Sequence, residues 1–224
     1  VNDLFLSKTF DNGMICASEQ AIIVDNEVYN EVKEEFLAHN AYIVSSKAEL
    51  AKLQAAVMLP DGHAVNPKIV GYSAKYIAEL AGIKVPEETK LLIAEIAGVG
   101  ADFPLSREKL SPVLAMVKAN STEEGLDLCE AMLDLGGLGH TAVIHTEDED
   151  LQIQFGIRMK ACRILVNTPA AEGGIGNIYN EMLPSLTLGC GSYGHNSVSH
   201  NVSAVDLINV KTLAKRRNNM QWFK

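Results

Sequence analysis

Residues 21–39 read AIIVDNEVYNEVKEEFLAH. The first five, Ala21–Asp25, form a short β-branched run, and such a run predicts a buried strand. Beyond it Val28, Val32 and Phe36 recur at a spacing of four, which lays one apolar stripe along a helix over residues 27–39. A strand that feeds directly into an amphipathic helix is the beginning of a β–α–β unit, and that unit builds parallel sheets.

The same alternation continues outward. Ser46 and Glu49 have capping-box spacing and open a helix to about Met58. Residues 73–82 predict another helix, stopped by Gly82 and followed by Pro86. Residues 90–96 and 112–118 predict strands. Ser121 and Glu124 form a second capping box, starting a helix to about Leu135. A strand over 141–145, a helix over 151–160 and a strand over 163–167 follow. Residues 168–199 are rich in glycine and predict mostly loop. In residues 206–215 Leu207, Val210 and Leu213 alternate with polar residues, a pattern open to a strand or a short helix. No repeat or low-complexity tract interrupts the chain. The fold class is therefore α/β, with a parallel or mixed sheet and helices on both faces.

Composition narrows the functional classes. The chain has 224 residues, 47% of them hydrophobic, enough for one sizeable core. Charged residues make up 21%, as in ordinary globular domains. A net charge of -9 repels phosphate backbones, so nucleic acid is not the expected partner. A nucleotide cofactor stays open, because local amides bind phosphate whatever the global charge. Cys16, Cys129, Cys162 and Cys190 make no C-x-x-C pair and are too sparse for a disulfide scaffold. Reduced thiols and a cytoplasmic location are expected. Apolar runs such as residues 21–24 fall far short of the roughly 18 residues of a membrane span. No signal segment opens the chain. Because it starts at Val1 without methionine, a fragment of a longer enzyme is expected, with methionine removal or trimming as the alternative.

Several residues carry candidate chemistry. Cys16 lies in Phe10-Asp11-Asn12-Gly13-Met14-Ile15-Cys16-Ala17-Ser18-Glu19. A thiolate is the reactive form of a cysteine whose ordinary pKa is about 8.5. Small neighbours let a substrate approach, and a loop entering an ordered segment offers free amides to an oxyanion. On local chemistry alone, a small buried hydrophobe is the commoner use of a lone cysteine. Cys129 and Cys162 fit that use. Residues 189–194 match G-x-G-x-x-G and residues 137–142 match G-x-G-x-x-A. A pyrophosphate fingerprint must follow a strand and open a helix. The second string has that order reversed, and the first precedes a poor helix with no acidic residue in the expected place. Both are read as glycine loops beside a substrate. The histidines at 39, 63, 140, 145, 195 and 200 show no metal-ligand spacing, so no metal is expected. His140 stands between a glycine loop and a strand, where side chains reach clefts, although a satisfied loop histidine is the commoner case. Glu108 stands just before a Pro-started strand, suited to a hydroxyl pair or simply solvated.

Five strings, taken in order, resemble the aldehyde dehydrogenase superfamily. They are FDNGMICASEQ at 10–20, EKLSPVLAM at 108–116, LGGLGHT at 135–141, RILVNTPAAEGGIG at 163–176 and SLTLGCGSYGHNS at 185–197. The pattern is most similar to the CoA-acylating half of bifunctional aldehyde–alcohol dehydrogenases, over essentially the whole chain. The resemblance implies a three-layer α/β/α sandwich. It implies a catalytic domain over 1–202 and a C-terminal segment over 203–224 that serves as an oligomerisation strand. An upstream NAD-binding portion and a downstream iron-type alcohol dehydrogenase domain lie outside the chain, so the isolated chain is expected to be inactive.

The family nucleophile falls three residues after a glycine and six after a phenylalanine, which Gly13, Phe10 and Cys16 satisfy. Hydrolytic members tend to carry Gln or Glu two residues before the cysteine; Met14 stands there and points to CoA as acyl acceptor. Glu108 aligns with the glutamate that holds the nicotinamide ribose. His140 aligns with a histidine implicated near the nucleophile. Gly189 and Gly191 are assigned to cofactor binding. The implied reaction is NAD-dependent oxidation of acetaldehyde with CoA to acetyl-CoA, and its reverse, through a Cys16 thioester. The implied partners are a small aldehyde, CoA and further copies in a homo-oligomer or filament, with no nucleic acid or membrane. Three alternatives remain: a hydrolytic aldehyde dehydrogenase releasing a carboxylic acid, a cysteine hydrolase using Cys16 and His140, and a non-enzymatic assembly module using the tail.

Overall fold

The computed structural model describes residues 1–217. The predicted C-terminal segment is therefore covered as far as Arg217, and residues 218–224 lie outside the described residues.

Four strands make one parallel sheet: β1 (Ala21–Asp25), β2 (Ala41–Val44), β3 (Leu91–Glu95) and β4 (Val113–Ala119), in the order β1-β4-β3-β2. Ala21 pairs with Ala115, Leu92 with Val113 and Ala41 with Leu91. The two inner strands are apolar on both faces because both faces are covered. Helices α1 (Asn2–Thr9) and α2 (Tyr29–Ala38) lie on one face, where Phe36 packs with Ile22, Val24, Leu91, Ile93, Leu114 and Met116. Helices α3 (Lys47–Val57) and α4 (Ala74–Ala81) cover the other, with Leu53 and Ile77 against Val44, Leu92, Ala94 and Val113. These are the three α/β/α layers the sequence predicts.

A second unit follows. Helix α5 (Thr122–Gly136) packs near β1, with Gly125 beside Ala119 and Ile23. Strands β5 (Gly139–Ile144) and β6 (Ala161–Val166) pair with each other in parallel and do not extend the first sheet. Together with α6 (Glu149–Arg158) they enclose a core of Leu126, Leu133, Phe155 and Met159. Periodicity reveals strands but not their partners, so this division was not visible in the sequence.

The caps behave as predicted in one half only. Ser46 and Ser121 accept the amide N–H groups of Glu49 and Glu124. The glutamates turn elsewhere: Glu49 to the Tyr42 and Ser46 hydroxyls, Glu124 to the amide and side chain of Asn120. Gly82, left-handed at φ 65°, closes α4. Three elements lie outside the prediction: α1, β2 and α7 (Ala170–Ile175). Helix α1 buries Ser7 and Lys8, which disguises its inward face. Helix α7 carries two glycines because neighbours crowd it: a Cβ on Gly174 would lie 2.8 Å from Ala17 Cβ. Residues 206–215 are neither strand nor helix beyond a 3-10 turn at Ala204–Leu207. Leu207, Val210 and Leu213 stand open to solvent. No described helix is long and apolar enough to cross a membrane.

Candidate active site

The loop that carries Cys16 begins where α1 ends. Asp11, Asn12 and Gly13 take consecutive left-handed conformations, at φ 47°, 50° and 70°. A non-glycine residue there costs about 1–2 kcal/mol, so the reversal must be held. Asn12 Nδ2 holds it by donating to Gly71 O at 2.9 Å. Gly13 has no alternative, since a Cβ would fall 2.5 Å from Ser111 O. The chain then turns at Ser18, whose amide donates to Ile15 O at 2.9 Å, and enters β1.

Two buried lysines anchor the loop from beneath. Lys8 Nζ donates to Gln20 Oε1 at 3.2 Å. Lys109 Nζ donates to the carbonyls of Gln20, Leu105 and Arg107 at 2.7, 2.8 and 2.6 Å. Burial lowers Lys8 to about 8, against the attraction of Glu19 and Glu108. Burial also drives Lys109 well below the usual lysine range, and the neighbouring Lys8 charge adds to the effect. Glu19 is buried as well. Its Oε1 accepts the Ala170 amide at the start of α7, and burial raises the acid to about 7.

Above this floor lies a cleft of about 440 Å³ whose walls include Cys16, Glu19, Arg107, Glu108, His140 and Thr141. Cys16 is exposed to it. Lost hydration pushes the Cys16 thiol up, and the Glu108 carboxylate pushes it further. The amides of Cys16 and Ala17 and the Arg163 guanidinium oppose both. Those amides are donors suited to an oxyanion formed at the sulfur. His140 is held down, by burial first and then by Arg163, so the ring stays neutral near pH 7. Its Nδ1 lies 2.9 Å from Thr141 Oγ1.

The structure thus brings Cys16, Glu108 and His140 to one cleft although 124 residues separate Cys16 from His140 in sequence. Gly189 and Gly191 are not among the residues lining it. They shape a tight loop instead. Gly189 N donates to His200 O at 3.0 Å, and its Cβ would strike Val198 O at 2.5 Å. Gly191 is left-handed and abuts Cys162 Sγ. That loop presses against Gly139, where a Cβ would lie 2.0 Å from Cys190 O. The two glycine strings pack on one another, which accounts for their composition without a bound phosphate.

Sequence reasoning missed the polar supports. Arg163 is 2% exposed and donates to Thr141 Oγ1, Gly189 O and His140 O at 3.1, 2.8 and 2.9 Å. The signal was present: Arg163 is the one charged residue within the strand ACRILV. Gln20 and Lys109 gave no such signal, because their value lies in pairing across the sequence.

Comparison with known proteins gives a consistent identification. No family model matches the chain. Aldehyde-alcohol dehydrogenase 2 of Entamoeba histolytica is 51% identical over 229 residues, spanning 100% of this chain and 26% of the relative. The bifunctional aldehyde-alcohol dehydrogenase of Escherichia coli K12 is 49% identical over 228 residues, spanning 100% of this chain and 25% of the relative. Among solved structures, an acetylating aldehyde dehydrogenase from Geobacillus thermoglucosidasius superimposes with a TM-score of 0.87 at 41% identity, covering 96% of this chain and 48% of that one. Fold and sequence are similar, over nearly the whole chain, to members of the aldehyde dehydrogenase superfamily. Within it, the chain matches the aldehyde dehydrogenase-like portion of aldehyde–alcohol dehydrogenases, and spans about a quarter of their length.

Proposed function

We propose that this chain supplies the nucleophile and the acyl-transfer site of a CoA-acylating aldehyde dehydrogenase within a longer protein. The reaction is oxidation of acetaldehyde with CoA to acetyl-CoA, and the reverse reduction. The observation that carries this reading is the convergence of Cys16, Glu108 and His140 on one cleft. The Cys16 thiolate adds to the aldehyde carbonyl, giving a thiohemiacetal whose oxyanion lies near the Cys16 and Ala17 amides. A nicotinamide cofactor held through Glu108 would supply the acceptor for the hydride. Cys16 is then left as an acyl thioester. The CoA thiolate adds to that carbonyl, and Cys16 departs as thiolate.

The residues present fit a nicotinamide cofactor. Glu108 lines the cleft beside Cys16, where a carboxylate accepts ribose hydroxyls. Arg107 Nε is buried without a hydrogen-bond partner among the described residues, which suits a polar ligand arriving from the same side. His140 attends the acyl group.

In the full-length enzyme, Cys16→Ala should abolish NADH formation from acetaldehyde plus CoA; retained activity sinks the assignment. Omitting CoA should stop steady turnover of the unmodified enzyme. A rate unchanged without CoA supports release of a free acid instead. The 224-residue chain alone should show no turnover.

Assembly with further copies belongs to the same proposal. Val205, Leu207, Val210 and Leu213 are 71%, 84%, 82% and 88% exposed, an apolar row suited to pairing with a neighbouring subunit. Deleting residues 203–224 should lower the oligomeric state, and an intact oligomer refutes that role. A cytoplasmic location accords with four free cysteines.

A further inference from the structure

We infer that Thr141, fixed by Arg163, sets the tautomer of His140 and makes its Nε2–H a hydrogen-bond donor toward the acyl group on Cys16. The inference rests on the acyl-transfer reading above and specifies what His140 does in it.

The hydrogens around Thr141 Oγ1 fix the tautomer. An arginine nitrogen only donates, so Thr141 Oγ1 must accept from Arg163 Nε at 3.1 Å. The same oxygen lies 2.9 Å from His140 Nδ1. If Nδ1 carried a proton, Oγ1 would take two donors. Its own hydrogen would then have no acceptor among the described residues, in a half-buried position. If Nδ1 carries none, every hydrogen is used: Arg163 donates to Oγ1 and the hydroxyl donates to Nδ1. The proton of the neutral ring is then on Nε2.

Arg163 cannot swing away to relax this arrangement. Its other two nitrogens are held by Gly189 O and His140 O, and the residue is almost wholly buried. No carboxylate among the described residues pairs with it, so its charge stays available to polarise the Thr141 hydroxyl toward Nδ1. Burial and that same charge keep the ring neutral.

A neutral ring with hydrogen on Nε2 cannot act as a base at that nitrogen. It can donate to the thioester carbonyl and to the oxyanion formed when the CoA thiolate adds. In that step the carbon–sulfur bond to CoA forms, the bond to Cys16 breaks, and Cys16 leaves as thiolate. No proton leaves His140. Thr141 touches neither substrate nor cofactor in this scheme and is a positioning residue.

The test compares Thr141→Val, which keeps the shape, with Thr141→Ser, which keeps the hydroxyl. Both are made in the full-length enzyme. Stopped-flow absorbance follows the NADH burst from acetaldehyde and NAD+ without CoA, and steady turnover follows with CoA. T141V should lower CoA-dependent turnover about tenfold more than it lowers the burst rate. T141S should stay within about twofold of the unmodified enzyme on both. Should T141V fail to fold, T141A takes its place in the same comparison. Equal losses in burst and turnover, or equal behaviour of the Val and Ser variants, would overturn the inference. Absence of any burst in the unmodified enzyme would instead count against the acyl-enzyme reading itself.

Discussion

Gln20 is bound twice by Lys109: its backbone carbonyl accepts Lys109 Nζ at 2.7 Å, and its side-chain Oε1 accepts the Lys109 amide at 3.0 Å. Gln20 also donates from Nε2 to Ser18 O at 3.1 Å. One glutamine therefore ties the loop bearing Cys16 to the segment bearing Glu108. Lys109→Met should weaken that tie and leave the carbonyls of Gln20, Leu105 and Arg107 unpaired. A loss of about 2–4 kcal/mol in stability is expected. Gln20→Ala should be milder in stability and should raise the KM for NAD+ more than it lowers kcat. Denaturant titration and steady-state kinetics of the full-length variants check both. An unchanged KM would show that the tie does not place Glu108.

The charge of Glu108 works against the thiolate of Cys16, second only to burial. Removing it should lower the thiol pKa. Alkylation of Cys16 by iodoacetamide should therefore rise with pH from neutral to alkaline in the unmodified enzyme, and Glu108→Gln should react several-fold faster near pH 7. The gain from a larger thiolate fraction exceeds the loss of intrinsic nucleophilicity, which grows only about half as fast with falling pKa. A slower or unchanged variant contradicts the assignment.

Glu19 is raised from 4.5 to about 7 by burial. Between those values the unfolded chain loses its proton while the folded chain keeps it, so folding weakens as pH rises. Hydrogen exchange of peptides covering residues 14–25 should show protection falling, relative to Glu19→Gln at the same pH, from about 4.5 to about 7. Above that range the difference should level off. A difference that stays flat between pH 4.5 and 7 means that Glu19 is ionised in the folded protein throughout.

Two glycines separate backbone strain from crowding. Gly82 and Gly139 are both left-handed, at φ 65° and 81°. A Cβ on Gly82 meets nothing within 4 Å, whereas one on Gly139 meets Cys190 O at 2.0 Å. Gly82→Ala should cost about 1–2 kcal/mol, the left-handed penalty alone. Gly139→Ala should cost clearly more and displace the loop against His140. Comparison of denaturation midpoints checks the order, and equal costs would refute the close packing of the two glycine strings.

Much of the fold was legible because it depends on local pattern. Residues 21–39 and the capping serines Ser46 and Ser121 set strands and helices nearly in place. Helix α7 and strand β2 escaped, one because glycines serve packing there, the other because four residues are too few to show a period. Cys16 was visible only as one string among five. Local chemistry favours a buried hydrophobe, and the order of the strings raised it to a candidate nucleophile. Glu108 and His140 were singled out in the same way, and both line the cleft with Cys16. Gly189 and Gly191 were assigned to the cofactor through the resemblance alone, and the sequence did not show that they pack against Val198 and Cys162. Arg163, Thr141, Gln20 and Lys109 were not legible as a set. Their bonds span from one to 89 positions of sequence and exist only once the sheet and the second unit are packed together.

In the proposed reaction Cys16 holds the acyl group between oxidation and transfer. Full-length enzyme incubated with acetaldehyde and NAD+ in the absence of CoA, then quenched and digested, allows peptide mass spectrometry to locate it. One acetyl group is expected on the peptide bearing Cys16, removed within a turnover time when CoA is added. An acetyl group on Cys129, which lines the same cleft, or no acetylated cysteine at all, would contradict it.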